Sequence, residues 1–182
     1  MADPADRVYF RLLVIRCQAG DPAAFEELVA RCHTGLRAFL HKMLNNQHNV
    51  DDVAQDVWLE AYRNLKKLND PGAFRAWLYR AARNRAFLLL RRHRTIEFIE
   101  GVEPVAGEEE PDFTVADAEA VHTALDQLGP EHREVLLLRF MQELSYEEIA
   151  AVVGCQIGTV RSRIHNAKRQ MRILMQNRRG QP

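Results

Sequence analysis

Hydrophobic residues recur along this chain at steps of three and four, the spacing that places them on one face of an α-helix. The first such stripe follows Asp21-Pro22, which joins an N-cap residue to a proline suited to the first helical turn. Its members are Phe25, Leu28, Val29, Cys32, Leu36, Phe39 and Met43. Because the polar residues 45–48 interrupt the pattern, a long helix is predicted between Asp21 and that break.

Two more helices are predicted before residue 95. The second runs over 50–65, and the turn signal Asn69-Asp70-Pro71-Gly72 separates it from the third, which ends near Arg94. The second stripe is Val50, Val53, Ala54, Val57, Trp58, Ala61 and Leu65, and the third is Phe74, Trp77, Leu78 and Ala81. Since no alternating apolar and polar run with a hairpin turn occurs, the sequence predicts an all-α fold.

A change of composition divides the chain into two parts. Residues 95–117 carry eight acidic residues and no Lys or Arg, among prolines and glycines, which is typical of a flexible linker. Helical patterning resumes near Val115, and Gly129-Pro130 separates the first two helices that follow. The sequence therefore predicts two small helical domains, an N-terminal helical bundle over 1–94 and a C-terminal domain over 117–182, joined by a flexible acidic linker over 95–116.

Residues 144–169 have the pattern of a helix-turn-helix. Ser145 and Glu148 have the spacing of a capping box, in which each side chain accepts a hydrogen bond from the other residue's backbone N–H. Gly154 follows the last periodic position, where a left-handed glycine commonly ends a helix. A second helix is predicted to begin near Ile157, with a narrow buried face formed by Val160, Ile164, Ala167 and Met171. This arrangement predicts DNA binding.

The opposite face of that second helix can contact DNA in two ways. Arg and Lys neutralise phosphates, whereas Arg, Asn, Ser and Thr also hydrogen-bond to base edges in the major groove. Because the N-terminal half of a recognition helix usually reads the bases, readout is expected at Thr159, Arg161, Ser162, His165 and Asn166. Phosphate binding is expected at Lys168, Arg169 and Arg172, and Arg163 shares the exposed face. The plainer alternative is a helical hairpin with a basic outer surface.

The net charge of zero hides a strong segregation of charge. Residues 31–94 contain 13 basic and 5 acidic residues, a net charge of +8, and residues 75–94 contain seven arginines and no acid. Residues 161–179 contain seven Lys or Arg and again no acid. Two basic runs, each on a predicted helix with its own apolar stripe, favour two contacts with a polyanion over two solvated helix faces.

Several classes of function find no support in the sequence. No apolar run is long enough to span a membrane and the N-terminus lacks a secretory signal, so a cytoplasmic protein without membrane insertion is predicted. No glycine-rich phosphate loop, nucleophile elbow or HExxH motif occurs, which argues against an enzyme. Cys17, Cys32 and Cys155 lie far apart and are predicted to be reduced, and Cys32-His33 is a poor metal site. Neither a metal nor a cofactor is expected.

Three blocks of the sequence resemble bacterial RNA polymerase sigma factors of the sigma-70 family, extracytoplasmic-function (ECF) group. The block LSYEEIAAVVGCQIGTVRSRIHNAKRQMR, residues 144–172, is similar to the C-terminal domain of that group. VDDVAQDVWLEAY, residues 50–62, resembles its polymerase-binding helix, and FRAWLYRAARNRA, residues 74–86, resembles its promoter-melting helix. The resemblance implies a transcription initiation factor that binds core RNA polymerase, directs it to specific promoters and helps to melt the minus-ten element.

The resemblance also implies roles for particular residues. The clamp coiled coil of the polymerase would be bound by Asp51, Asp52, Gln55 and Asp56, although acids in a first helical turn also suit the helix dipole. The minus-ten element would be contacted by Asn69, Asp70, Arg75, Arg80, Arg83 and Asn84. The minus-thirty-five element would be contacted by Thr159, Arg161, Ser162, Arg163, His165, Asn166, Lys168 and Arg169. Trp77 is expected in the core, while Tyr79 stays open between a core position and a base-stacking one.

The partners implied by the family are core polymerase, through its clamp coiled coil and flap, promoter DNA as duplex and melted single strand, and an anti-sigma factor. The acidic linker would thread through a polymerase channel, but a plain solvated tether has the same composition. The main alternative is a stand-alone helix-turn-helix regulator that binds duplex DNA without polymerase.

Overall fold

A computed structural model of the protein describes residues 4–45, 49–93 and 118–179. Every regular element in these ranges is helical, which confirms the all-α prediction. The α-helices are α1 (Pro4–Gln18), α2 (Pro22–Leu44), α3 (Val50–Asn64), α4 (Phe74–His93), α5 (Ala118–Gln127), α6 (Pro130–Leu136), α7 (Tyr146–Val153) and α8 (Ile157–Arg179). Two 3-10 turns, Leu65–Lys67 and Pro71–Ala73, connect α3 to α4, and a π-helical segment, Leu137–Met141, continues α6. The linker predicted over 95–116 lies outside the described residues.

Helix α1 precedes the first predicted helix and has no counterpart among the sequence-based predictions. Leu13, Val14 and Cys17 are buried, and Phe10 packs partly against the same core. These four positions have helical spacing, so the signal is present in the sequence. It is weak because the opposite side of α1 also carries hydrophobic residues, Val8, Leu12 and Ile15, which are exposed.

Helices α1–α4 form the N-terminal bundle. Two of its helices begin at a capping side chain: Asp21 accepts from the Ala24 N–H at 3.2 Å, and Asn49 accepts from the Asp51 N–H at 3.1 Å. The fully buried large side chains of this bundle are Leu13, Leu28, Leu36, Phe39, Leu40, Met43, Leu44, Phe74 and Leu78. Burying each contributes about 1.5–3 kcal/mol, against about 1 kcal/mol for a cap. The caps therefore set where helices begin, and the apolar stripes hold them together.

Helices α5–α8 form the C-terminal domain, in which α8 packs against α5, α6 and α7. The predicted stripe Val160, Ile164, Ala167 and Met171 is buried. Glu143, between the π-helical segment and α7, has a φ of 52°. A left-handed backbone is uncommon for a residue with a Cβ and is usually marked by a glycine in the sequence. Because this residue is a glutamate, the sequence does not predict the conformation.

The two domains are docked on each other, an arrangement that the hydrophobic pattern does not predict. Helix α4 packs against α7, and α2 packs against α6 and the π-helical segment. Buried residues of both domains form one continuous hydrophobic cluster. On the N-terminal bundle, the docked surface lies largely on α4, along the side that carries Arg75, Tyr79 and Arg83.

Candidate nucleic-acid interface

The helix-turn-helix has the local geometry that its sequence predicts. The Ser145 Oγ accepts from the Glu148 N–H at 3.1 Å, and the Glu148 Oε2 accepts from the Ser145 N–H at 2.7 Å. Gly154 ends α7 with a φ of 74°, and α8 begins at Ile157. The capping box, the glycine stop and the start of the second helix are thus confirmed. Together they hold α8 against α7 with one of its faces toward solvent.

The predicted contact residues of α8 differ in exposure. Arg161 and Arg169 are exposed, while Thr159, Ser162, His165 and Lys168 are half-buried. The Ser162 hydroxyl donates to the Thr159 carbonyl at 3.0 Å. Lys168 lies over the Phe140 ring, 5.1 Å from its centroid. Because an ammonium over a ring is still free to meet a phosphate on its other side, the basic face of α8 remains available to a polyanion.

Two of the α8 residues depart from the prediction. Asn166 is only 9% exposed, so the prediction that it lies on the DNA-facing surface is wrong. The hydrophobic stripe in the sequence is narrower than the buried face of α8, because this helix packs against three others rather than one. Arg163 is half-buried and pairs with Glu131, with 3.3 Å between Nη2 and Oε2.

The acidic residues predicted to bind polymerase form one exposed edge of α3. Asp51, Asp52, Gln55 and Asp56 are all exposed, while Val53, Ala54, Val57 and Trp58 are buried on the other side. Two of the acids have basic neighbours at the surface: Asp51 pairs with Arg37 at 2.5 Å and Asp56 with Arg85 at 2.7 Å. Exposed pairs of this kind are weak, so a charged partner can displace them at little cost.

The loop between α3 and α4 presents Asn69 and Asp70 to solvent. Asp70 caps the second 3-10 turn by accepting from the Gly72 N–H at 2.9 Å, and it pairs with Arg11 of α1 at 3.1 Å. Asn69 is the exposed residue immediately before this capped turn. A polar side chain held at the tip of a braced loop can hydrogen-bond to an unpaired base.

The four predicted promoter contacts of α4 divide into two pairs. Arg80 and Asn84 are exposed. Arg75 and Arg83 are half-buried against the C-terminal domain, where they bind Gln142 and Glu134, so these two predicted contacts are covered in the docked arrangement. Their partners, Glu134 and Gln142, lie more than fifty residues away in sequence. The hydrophobic pattern of α4 therefore cannot indicate that these two arginines are covered.

Arg75, Tyr79 and Arg83 form a single stripe of α4 that the C-terminal domain engages. The Arg75 Nη2 donates to the Gln142 carbonyl at 2.7 Å, and the Tyr79 hydroxyl donates to the Gln142 Oε1. The Arg83 Nε meets the Glu134 Oε2 at 2.6 Å. Tyr79 is 3% exposed, and burial raises the pKa of its hydroxyl far above the ordinary range. Tyr79 is therefore a core residue here, and Trp77, stacked on Phe74, also packs against the core.

Two consecutive buried residues of α6, Arg133 and Glu134, reach the N-terminal bundle. The Arg133 guanidinium donates to the carbonyls at the end of α5 and to groups at the end of α2: Leu125 O, Asp126 O, Leu128 O, Lys42 O, Met43 O and Asn45 Oδ1. One side chain thus caps two helices from different domains. Burial raises the pKa of Glu134 to about 7, although the Arg83 guanidinium opposes the shift.

The described residues contain no group of His, Cys, Asp and Glu side chains arranged to hold a metal ion. His33 accepts a hydrogen bond from the Trp58 indole at 3.2 Å, so it serves the packing of α2 on α3. Cys17, Cys32 and Cys155 are free thiols, and burial raises the pKa of Cys32 to about 11. A thiol that stays protonated is a poor nucleophile. Within the same ranges, no helix has the length and apolar character to cross a membrane.

Both halves of the chain are similar to known proteins. Family models match Sigma-70 region 2 over residues 20–96 and Sigma-70, region 4 over residues 118–171. The RNA polymerase sigma-H factor of Pseudomonas aeruginosa is 36% identical over 170 residues, covering 86% of this chain and 88% of that protein. The ECF RNA polymerase sigma-E factor of Escherichia coli is 32% identical over 172 residues, covering 87% and 90%.

Two solved structures are similar as well. CnrH, in complex with the cytosolic domain of CnrY, has a TM-score of 0.72 at 28% identity and covers 92% of this chain and 97% of its own. RpoE of Bartonella quintana, in complex with the anti-sigma factor NepR, has a TM-score of 0.64 at 25% identity and covers 84% and 96%. Both halves match in the expected order, over nearly the whole of these relatives. The chain therefore belongs to the sigma-70 family of RNA polymerase sigma factors, in the ECF group, and is a transcription initiation factor rather than a stand-alone regulator.

Proposed function

We propose that this sigma factor divides its work among three surfaces. The exposed edge of α3, with Asp51, Asp52, Gln55 and Asp56, binds the clamp coiled coil of core polymerase. The loop with Asn69 and Asp70, together with Arg75, Arg80, Arg83 and Asn84 of α4, engages the melted minus-ten element. The basic face of α8 binds the minus-thirty-five duplex. The observation that carries the proposal is that one chain has both an exposed acidic helix edge and a capped helix-turn-helix whose second helix has no acid.

Promoter binding by α4 requires the two domains to separate. Arg75 and Arg83 cannot hold a DNA backbone while they bind Gln142 and Glu134. The bundle therefore alternates between the docked arrangement and an open one in which α4 is free. Core polymerase, through its clamp and flap, selects the open arrangement, and an anti-sigma factor like the NepR bound to RpoE selects the docked one. The protein acts in the cytoplasm, without enzymatic activity of its own.

Replacing both Gln55 and Asp56 with alanine is expected to weaken binding to core polymerase by about 10-fold to 100-fold, because each substitution removes a polar contact of about 1 kcal/mol or more. Affinity is measured by titrating labelled protein with core polymerase. Glu26→Ala, which removes an exposed acid from α2, is the matched control and leaves the affinity unchanged. Equal affinities for the double variant and the control would remove the α3 edge from the interface.

Docking of the two domains is expected to strengthen as the pH falls from 8 to 6. The docked state raises the pKa of Glu134 from an ordinary 4.5 to about 7, so it takes up a proton in this range that the open state does not. Lowering the pH from 8 to 6 thus raises the equilibrium constant for docking by about tenfold. Fluorescence energy transfer between labels on α3 and α8 measures the docked fraction.

Other charged groups near Glu134 are Arg83, Arg163 and Glu131, and burial lowers the pKa of the neighbouring His132. Glu134→Gln isolates the carboxyl from these groups, because it keeps the shape and removes the titration. The variant is expected to show a flat profile between pH 6 and 8. Docking that weakens on acidification in the unaltered protein would contradict the assignment.

A further inference from the structure

Helix α1 lies outside both family matches, which cover 20–96 and 118–171, yet it packs across the loop that carries Asn69 and Asp70. It contacts the two 3-10 turns, Leu65–Lys67 and Pro71–Ala73. These turns hold the loop at both of its ends. The conformation of the loop therefore depends on an element that is distant in sequence and to which no function is assigned.

Gln18, the last residue of α1, binds the first turn through a single amide. Its Nε2 donates to the Leu65 carbonyl at 3.1 Å and to the Leu68 carbonyl at 2.7 Å. Leu65 and Leu68 bracket the turn, and the Leu68 N–H also donates back to the Leu65 carbonyl at 3.1 Å. Gln18 is half-buried, so its two hydrogen bonds are partly shielded from water. The side chain thereby fixes the backbone directly before Asn69.

Arg11 and Phe10 of α1 brace the second turn. Arg11 pairs with Asp70 at 3.1 Å, although both side chains are about 60% exposed. Phe10 packs on Phe74, the first residue of α4, with 6.1 Å between ring centroids. The exposed ion pair is weak, so the buried ring contact and the Gln18 amide contribute more to the position of the loop.

We infer that Gln18 is a positioning residue for minus-ten recognition: its amide holds the loop in the conformation in which Asn69 and Asp70 meet an unpaired base. The inference rests on the proposed role of that loop. Gln18 contacts only backbone carbonyls of the loop in this arrangement and acts on DNA through it. A pre-positioned loop avoids the entropy of ordering when the base binds.

The test uses holoenzyme reconstituted with core polymerase and a single-stranded minus-ten oligonucleotide from a promoter that the holoenzyme selects. Gln18→Glu places a carboxylate against two carbonyls and is expected to weaken oligonucleotide binding by about tenfold, as for the loss of two hydrogen bonds. Gln18→Lys keeps a donor, and this variant is expected to bind the oligonucleotide within about threefold of the unaltered protein. Gln127→Glu, an exposed change of the same kind at the end of α5, is the control. Core polymerase affinity is unchanged in all three.

A double-mutant cycle separates this inference from the proposed function. If Gln18 acts through the loop, Gln18→Glu adds no further loss to the double variant Asn69→Ala with Asp70→Ala, and Arg11→Gln, which leaves the core intact, gives a smaller loss of the same kind. Additive losses, or unchanged binding by Gln18→Glu while Asn69→Ala binds weakly, overturn the inference and leave the role of the loop standing. Unchanged binding by both Asn69→Ala and Asp70→Ala overturns the role of the loop itself.

Discussion

Replacing Arg133 with methionine is expected to lower the free energy of unfolding by about 3–5 kcal/mol, because several buried carbonyls lose a charged donor, at about 1–3 kcal/mol for each group left unsatisfied. The guanidinium is 5% exposed and caps the ends of both α2 and α5. Methionine fills a similar volume but leaves those carbonyls without their donor inside the protein, where water cannot replace it. The loss therefore measures hydrogen bonding rather than packing.

Denaturant unfolding followed by circular dichroism measures this effect. Arg172→Met, which changes an exposed arginine of α8 in the same way, is the matched control and is expected to stay within about 0.5 kcal/mol of the unaltered protein. If Arg133→Met unfolds within about 1 kcal/mol of the control, the double cap is not a main support of the fold.

The second large effect is expected at Glu134, whose side chain is fully buried opposite Arg83. Glu134→Ala removes the buried acceptor of the Arg83 guanidinium, which even a protonated carboxyl retains, and leaves a cavity at the domain interface, so we expect about 2–4 kcal/mol less stability of the docked arrangement. The domains then separate while each stays helical. Energy transfer between labels on α3 and α8 reports the separation, and circular dichroism reports the helices.

A compensating variant tests the cause. Replacing both residues, Arg83→Met with Glu134→Leu, removes the pair and its desolvation cost together, so docking is expected to recover. Because Arg83 is also a proposed promoter contact, this double variant should dock well and open promoters poorly. Failure of the double variant to dock any better than Glu134→Ala would show that the interface depends on something other than this pair.

Local features of the fold were predictable because their causes lie within a few residues of each other. Ser145 and Glu148 are three positions apart, and each side chain accepts a hydrogen bond from the other residue's backbone N–H. Gly154 needs only its own left-handed backbone to end α7. The stripes of α2, α3 and α8 likewise follow from periodicity alone. The sequence does not predict helix α1, because exposed hydrophobic residues on its other side reduce the contrast between its faces.

The site was less predictable where distant residues meet. The sequence of α4 places its arginines on a polar face, and nothing in it indicates that Glu134 and Gln142 cover Arg83 and Arg75. Asn166 has the chemistry of a base-reading residue, but three neighbouring helices bury more of α8 than its stripe indicates. Periodicity reports which residues are hydrophobic, whereas the burial of a polar residue depends on the tertiary partner that satisfies it.

The central claim, that this chain is the promoter-specificity subunit of a polymerase, is tested most directly by transcription in vitro. Core polymerase from the source bacterium is mixed with the purified chain and a library of promoter fragments, and the transcripts are sequenced. We expect transcripts that begin at defined distances from shared minus-thirty-five and minus-ten elements, and none with core polymerase or the chain alone. A chain that shifts duplex DNA alone but neither binds core polymerase nor yields such transcripts would contradict the account.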